Sequence, residues 1–280
     1  MTYKTILVHV DDTRHVAARV EIAANLAIAQ DAHLIGAALS GVSRFIEQAV
    51  AVNPDDPAIR PYLDTLRRRA NAALDRFHEQ AGRLGLLSVE RRLVDDETTD
   101  GIALQARYCD LVVVGQTDPD EPVLTVRPDF PEYIATSSGA PVLIVPYARS
   151  FPRVGSRILV AWNASHEAKR AVQDALPLMK GAEQVDVAVF NPAEHPERYG
   201  AYPGADIKQY LARHGIPAAL RMEHGPHGEI GDALLAIAAE ATSNLLVMGC
   251  YGHSRFREML LGGVTRSILT AMTLPVLMSH

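Results

Sequence analysis

An internal repeat is the feature that most constrains how this chain can fold. The segment TILVHVDDT, which begins at Thr5, resembles the segment RILVAWNAS, which begins at Arg157. Further along, the sequence LVVVG at Leu111 resembles LLVMG at Leu245. Similarity at a long, fixed spacing is typical of a duplicated structural unit. The chain is therefore expected to fold as two related domains.

The spacing of the repeat indicates that the first copy is the larger one. The opening segments lie 152 residues apart, whereas PVLI at Pro141 and PVLM at Pro275 lie 134 residues apart. The first copy therefore holds 18 additional residues in its middle. Tyr147 to Ser156, which carries proline, glycine and serine, has the composition of a linker. We predict one domain at residues 1–147 and another at 155–280.

Each copy is predicted to alternate strands with helices. In the second copy, five β-rich runs alternate with four helical segments, from Arg157–Trp162 to Pro275–Ser279. In the first copy, the additional residues include a long helix with one apolar face. That face consists of Leu63, Leu66, Ala70, Ala73, Phe77, Ala81 and Leu84. Strict alternation predicts an α/β fold with parallel strands covered by helices on both faces.

Composition and charge argue against several classes of function. A net charge of −6 and 48% hydrophobic residues indicate a globular protein that does not bind nucleic acid. Apolar runs are of strand length and the N-terminus has no long apolar core, so neither a membrane span nor a signal peptide is expected. Two isolated cysteines, Cys109 and Cys250, fit a reduced protein. We expect a cytoplasmic protein that does not associate with membranes.

Candidate ligand-binding residues follow the first and fourth strands of the second copy. Parallel open sheets bind ligands beyond the carboxyl ends of strands, at the point where the strand order reverses. Asn163 follows the first strand, and glycines follow the fourth at Gly249, Gly252, Gly262 and Gly263. Glycine lets a backbone approach a ligand closely, and the first amides of a helix bind phosphate. From spacing alone, these glycines could equally serve tight turns.

The pattern Gly-x2-Gly-x9-Gly, at Gly249, Gly252 and Gly262, resembles the nucleotide-binding signature of the universal stress protein family. The resemblance extends over both copies, including the opening ILV and closing PVL segments, so the chain looks like a tandem universal stress protein. It implies two tandem open five-stranded parallel sheets with the strand order 3-2-1-4-5. It also implies ATP as the cofactor, bound by the second copy between its first and fourth strands.

The resemblance assigns roles to residues of the second copy. ATP-binding members have an acidic residue after the first strand, where this chain has Asn163, and a small residue two positions earlier, here Ala161. Val189 matches a valine of the adenine slot. The phosphate contacts fall on Gly249, Gly252, Gly262, Gly263, Val264 and Thr265. The family usually has Ser or Thr directly after the last glycine, and Gly263 lacks that hydroxyl but keeps its backbone amide.

The first copy departs from this signature. Gly115 is retained, but the equivalents of the later glycines are Asp118, Pro128 and Asp129. Proline has no backbone N–H to offer, and carboxylates repel phosphate. Although Asp11 stands at the acidic position of the family, we expect this copy to have lost nucleotide binding.

Three functions stay open at this point. The first is a nucleotide-binding regulatory protein of the stress response. The second is a nucleotide-free interaction or scaffold protein with the same fold. The third is a slow ATPase, because the sequence offers no obvious general base and no Walker motif. His224, His227 and His253 fall on loops without a metal-binding motif, so neither a catalytic residue nor a metal is assigned.

The last strands predict how the two copies associate. Pro141–Val145 and Pro275–Ser279 are apolar, and an apolar edge strand must be covered or paired. In the family the fifth strands pair two domains. The resemblance therefore implies an internal pseudo-dimer, which a second chain could double into a homodimer.

Overall fold

The computed structural model of the protein describes residues 2–42, 59–95, 100–121, 126–147, 151, 153–199, 202–251 and 263–280. By their contacts, these residues divide into two compact units. The first unit comprises residues 2–142 and the second residues 143–280. The domain boundaries inferred from the linker composition stay a prediction.

The first unit is an α/β fold built on parallel strands. Its strands are β1 (Thr5–His9), β2 (His33–Leu39), β3 (Val89–Val94) and β4 (Leu111–Gly115), and β5 (Val142–Val145) begins at its end. Its helices are α1 (Val16–Gln30), α2 (Ile59–Arg83), α3 (Asp100–Ala106) and α4 (Phe130–Ser137). The first four strands pair in the order β3-β2-β1-β4, all parallel, as predicted.

Helix α2 accounts for much of the enlargement of the first copy. It lies between β2 and β3, and its predicted apolar face is buried at Leu63, Ala70 and Phe77. The Phe77 ring packs directly on β2, where a Cβ atom added to Gly36 would overlap it. Glycine in a strand interior often marks such a close approach. Packing of α2 on the sheet thus explains a glycine inside a buried strand.

The second unit contains a complete five-stranded parallel arrangement. Its strands are β6 (Arg157–Ala161), β7 (Gln184–Phe190), β8 (Ala219–Glu223), β9 (Leu245–Gly249) and β10 (Val276–Ser279). Its helices are α5 (His166–Met179), α6 (Pro196–Tyr199), α7 (Ala205–Arg213), α8 (Ile230–Glu240) and α9 (Gly263–Ala271). The strand order β10-β9-β6-β7-β8 is the predicted 3-2-1-4-5. That each copy forms a separate five-stranded sheet stays a prediction.

The burial of the central strands explains their continuous apolar sequences. Ile6, Leu7 and Val8 of β1 are fully buried, as are Leu245 and Leu246 of β9. Strands covered by helices on both faces have no solvent-exposed side, so they lack the alternation of half-buried strands. Among the described helices, none combines the length and the hydropathy needed to cross a membrane.

Short helices after β7 and β8 are a difference from the prediction. A 3-10 helix at Pro192–Glu194 and helix α6 follow β7, and a second 3-10 helix at His227–Glu229 follows β8. Both elements after β7 begin at a proline, whose fixed φ favours the first helical position. Asn191, with a left-handed φ of 46°, turns the chain from β7 into the first of them.

Candidate functional site

The carboxyl ends of β6 and β9 lie side by side in the second unit. β6 pairs with β7 on one side and with β9 on the other, so the strand order reverses at β6. The register of Val160 with Val247 brings the ends of both strands to the same edge. Ala161 closes β6 and Gly249 closes β9. Two of the predicted site residues therefore lie at adjacent strand ends, where open sheets bind ligands.

Asn163 builds the turn that leads from β6 into α5. Its Oδ1 accepts a hydrogen bond from the Ser165 amide at 3.1 Å, and Ser165 Oγ accepts one from the Ala168 amide at 3.1 Å, which caps α5. Ala164, between them, has a left-handed φ of 57°. Asn163 is exposed, so its NH2 group can serve as the donor to a ligand. Asn163 thus has a structural role in this turn, and its contact with a nucleotide stays a prediction.

Gly249 is required by packing. A Cβ atom at this position would lie 2.5 Å from the Ala168 amide nitrogen and 2.5 Å from the Glu167 carbonyl carbon. Backbone atoms at the start of a helix cannot move aside cheaply. The close approach of α5 to the end of β9 therefore accounts for this glycine, whether or not a phosphate binds beside it.

Gly263, Val264 and Thr265 form the first turn of α9. All three are half-buried, and a Cβ atom at Gly263 would meet none of the described residues within 4 Å. The first amides of a helix have no intrahelical partner. The hydroxyl residue that the family usually has at this position would therefore have no steric conflict with the part of the chain that the structure describes.

Of the three remaining predicted residues, the structure describes only Val189. Val189 lies in β7 next to its last residue, and its side chain is fully buried. Its side chain therefore belongs to the core of the second unit. Gly252 and Gly262 lie outside the described residues. The structure brings Ala161 and Gly249 together at the strand ends and leaves the central part of the glycine pattern a prediction.

The first unit has a cavity of about 340 Å³ at the corresponding strand ends. It lies beyond the ends of β1 and β4, and its volume falls within the range of small-molecule sites. Residues that line it include Asp11, Arg19, Gly115, Asp118, Pro128 and Phe130. The first copy thus retains a space at this position.

Arg19 of α1 occupies the side of this cavity next to Gly115. Its Nη2 donates to Asp11 Oδ2 at 2.6 Å and its Nε donates to the His9 carbonyl at 2.8 Å. A Cβ atom at Gly115 would overlap the guanidinium. Burial raises the pKa of Asp11, but Arg19, His9 and Thr13 together lower it further, so that the net shift is downward. Asp11 is therefore an ionised carboxylate whose negative charge is balanced by the Arg19 guanidinium.

The carboxylates expected to repel phosphate are paired with cations. Asp118 Oδ2 lies 2.9 Å from both Arg14 Nη2 and His15 Nε2, and Arg127 Nε donates to Asp129 Oδ1 at 2.9 Å. The hydrogen bond from Arg14 lowers the pKa of Asp118 to about 2. The sequence prediction considered only the negative charges of this loop. Because Arg14, His15 and Arg127 pair with them, the repulsion of phosphate is weaker than the sequence predicts.

His9 is a buried, neutral histidine beneath this cavity. Burial lowers the pKa of His9 to about 4, although Asp11 opposes this shift. Its ring packs against Phe130 with a centroid distance of 4.8 Å. Among the described residues, its Nε2 has no hydrogen-bond partner. Protonation of His9 would therefore place a poorly solvated charge in the core.

We expect the free energy of unfolding to fall as the pH drops from 6.5 to about 4. Unfolded histidine binds a proton near pH 6.5 and folded His9 only near pH 4, so protons favour the unfolded chain over this interval. The shift corresponds to roughly 3 kcal/mol. Urea unfolding followed by circular dichroism should show a steeper pH dependence for the wild type than for His9→Leu. Equal dependences would contradict this account.

Sequence reasoning missed Arg14, His15 and Arg19. Arg19 and Glu21 are the charged residues in α1, which is otherwise dominated by apolar residues. A lone arginine on a buried helix needs a carboxylate partner. Asp11, eight residues earlier and at the end of a strand, was the available one. Arg14 and His15 carried no comparable signal, because their partners come from a distant loop.

The chain is similar to a known protein family and to several solved structures. Residues 156–280 match the model of the universal stress protein family. A universal stress protein from Archaeoglobus fulgidus DSM 4304 is 16% identical, with 98% of this chain and 97% of that chain covered and a TM-score of 0.70. A functionally unknown protein from Pseudomonas aeruginosa PAO1 is 18% identical, with 99% of this chain and 92% of that chain covered and a TM-score of 0.61. A universal stress protein in complex with cAMP is 24% identical, with 52% of this chain and 98% of that chain covered and a TM-score of 0.40. No curated protein matches the chain.

These matches divide into evidence for a fold and evidence for a family. The first two solved structures share the α/β fold over nearly the whole chain, including the first unit. The family model covers the second copy, where the glycine pattern lies. Residues 156–280 therefore form a domain of the universal stress protein family.

Proposed function

We propose that the second unit binds ATP or a related nucleotide and that occupancy controls an interaction in the stress response. The observation that supports this most strongly is the pair of adjacent strand ends at β6 and β9, where the strand order reverses. The proposed site consists of Ala161, Asn163, Val189, Gly249, Gly252, Gly262, Gly263, Val264 and Thr265.

The first turn of α9 supplies the chemistry for phosphate. The amino end of a helix carries a partial positive charge and unpaired amides, which together favour an anion. Gly263 leaves the backbone uncovered, and the Thr265 hydroxyl is a further donor. At the other strand end, the Asn163 amide can hydrogen-bond a nucleoside but cannot accept a proton as a carboxylate does. The site is therefore proposed to bind nucleotide and, at most, to hydrolyse it slowly.

Equilibrium dialysis of the full chain against labelled ATP tests this proposal. We expect saturation at one ATP per chain. Complete absence of binding would favour the nucleotide-free scaffold instead. That alternative is supported by the contact of Gly249 with the start of α5, because packing alone explains this glycine.

Gly263→Ser is expected to tighten ATP binding about 2- to 10-fold. The variant adds one hydroxyl donor where a Cβ atom meets none of the described residues within 4 Å, and a hydrogen bond contributes roughly 0.5–1.5 kcal/mol. The same dialysis measures the change. Gly181→Ser is the matched control, because a Cβ atom there has its nearest described neighbour at 4.0 Å and the position lies outside the proposed site. Wild-type affinity in Gly263→Ser would contradict the placement of phosphate at α9.

We propose that the first unit does not bind ATP and serves as a structural partner. Asp11 is paired with Arg19, and the guanidinium stands where a ligand would approach Gly115. Pro128 offers no amide. Two ATP molecules per chain in the dialysis experiment, with the second removed by a substitution in this cavity, would disprove this proposal.

The association of the two copies through their last strands also stays a proposal. Val142–Val145 and Val276–Ser279 are fully apolar except for Ser279, and all are buried. Deletion of Pro275–His280 is expected to expose apolar surface and to cause aggregation or a change of oligomeric state, measured by size-exclusion chromatography. A soluble, well-folded deletion variant would rule the proposal out.

A further inference from the structure

Two loops of the second unit bring two histidines and a glutamate together. Glu194 and His195 follow β7, and His227 follows β8. One ligand atom from each of the three side chains lies within 4.8 Å of the others. His227 Nε2 and Glu194 Oε2 are 3.1 Å apart. Glu194 and His227 are exposed and His195 is half-buried, so an ion from solution could reach all three.

We propose that Glu194, His195 and His227 form a binding site for a divalent transition-metal ion of the zinc class. Imidazole nitrogens and a carboxylate oxygen are ligands that such ions prefer. Zinc binds these atoms at about 2.0–2.2 Å, which puts two ligands of a tetrahedral ion roughly 3.3 Å apart. The spacing of His227 and Glu194 already matches this value. Water completes the coordination, because the site is open to solvent.

The main chain around the site is fixed before a metal binds. Asn191 is buried, and its Nδ2 donates to the Gly225 carbonyl at 2.7 Å while its Oδ1 accepts from the Gly225 amide at 3.0 Å. The Asn191 amide also donates to the Glu223 carbonyl at 2.9 Å. These bonds join the loop that carries Glu194 to the loop that carries His227. Only side-chain rotations are then needed to close the three ligands on an ion.

Glu197 contacts one ring nitrogen of His195, which leaves the other nitrogen for the proposed ion. Its Oε1 lies 3.4 Å from His195 Nδ1. A carboxylate on the far nitrogen orients a metal-binding imidazole and raises its basicity. The Nε2 atom is then the ligand.

Titration of the full chain, without an affinity tag or nucleotide, tests the site. We expect one equivalent of Zn²⁺ by isothermal titration calorimetry, and Co²⁺ should give the visible absorption of a four-coordinate nitrogen and oxygen site. Glu197→Gln should weaken binding about 10- to 100-fold, the range for loss of a supporting carboxylate. His195→Ala and His227→Ala, which remove ligands, should each weaken it more.

His224→Ala is the matched control, because His224 is an exposed histidine of the same loop outside the cluster. It should bind Zn²⁺ as the wild type does. No saturable binding, equal weakening in His224→Ala, or retained binding in the double variant His195→Ala/His227→Ala would each overturn the proposal. Circular dichroism identifies variants that fail to fold, and Glu194→Gln, a near-isosteric change, then provides the ligand test. None of these outcomes depends on ATP binding.

Discussion

Replacement of Arg19 by alanine is expected to lower the free energy of unfolding by about 3–5 kcal/mol, the range for a buried ion pair that loses one partner. Arg19 and Asp11 are both more than nine-tenths buried, and 2.6 Å separates their closest atoms. The variant leaves the Asp11 carboxylate in the core without its counter-ion. It also frees the His9 carbonyl, to which Arg19 Nε donates. Urea unfolding at neutral pH measures the loss.

Two controls separate this effect from the loss of any arginine. Arg14→Ala removes an exposed guanidinium and should lower the free energy of unfolding far less than Arg19→Ala does. The double variant Asp11→Leu/Arg19→Met removes both charges and should recover most of the stability, because apolar replacements of a buried pair are often neutral. A loss under 1 kcal/mol in Arg19→Ala would contradict the assignment of Arg19 as the counter-ion of Asp11.

The pH dependence of this deficit has a defined direction. The pKa of folded Asp11 is lowered, so its contribution to stability is present above the unfolded pKa of 3.8 and is lost as the pH falls below that value. The destabilisation caused by Arg19→Ala should therefore shrink in acid, because protonated Asp11 no longer needs a counter-ion. His9 acts in a different window, between pH 4 and 6.5.

Gly252→Asp is expected to abolish ATP binding in practice. The first copy has Asp118 at the equivalent position, so the variant transfers a feature of the copy proposed to lack a nucleotide. A carboxylate about 4 Å from a phosphate charge costs roughly 4 kcal/mol at an effective dielectric constant of 20, which is about a 1000-fold weaker affinity. Equilibrium dialysis at several ATP concentrations measures the change.

Gly252→Asn provides the matched comparison, because it has nearly the same shape without the charge. It should weaken binding far less than Gly252→Asp if repulsion is the cause. Equal affinity in the wild type and Gly252→Asp would remove Gly252 from the site. Raised ionic strength should narrow the difference between the two variants, since salt screens exposed charges.

Much of the fold could be predicted from local patterns. The apolar runs at Ile6–Val8 and Leu245–Met248 identify strands buried on both faces, and the spacing from Leu63 to Ala81 identifies α2. The internal repeat predicts two copies, with the additional residues in the middle of the first one. The strand order came from the family resemblance, because local patterns do not determine which strands pair.

The chemistry of the first unit was beyond such patterns. Asp118 has the appearance of an uncompensated charge in the sequence, but Arg14, more than 100 residues earlier, pairs with it. Arg19 removes Asp11 from the set of groups available to a ligand. These contacts join segments distant in sequence through side chains, and residue spacing along one chain has no information on them.

The glycines of the predicted pattern also differ in the space available for a side chain. Gly249 and Gly263 belong to the same motif. A side chain at Gly249 would collide with the start of α5, whereas a Cβ atom at Gly263 would meet none of the described residues within 4 Å. A sequence pattern treats them alike, because it records only the residue type. The structure separates a glycine that packing requires from one whose replacement tests the phosphate site.

The most direct test of the central claim is to map where a photoreactive ATP analogue attaches to the full chain. Cross-linking with 8-azido-ATP, followed by peptide mapping, should label peptides within residues 156–280 once per chain, and excess ATP should prevent the labelling. Protected labelling within residues 2–142, or labelling that ATP does not prevent, would contradict a nucleotide site in the second copy alone.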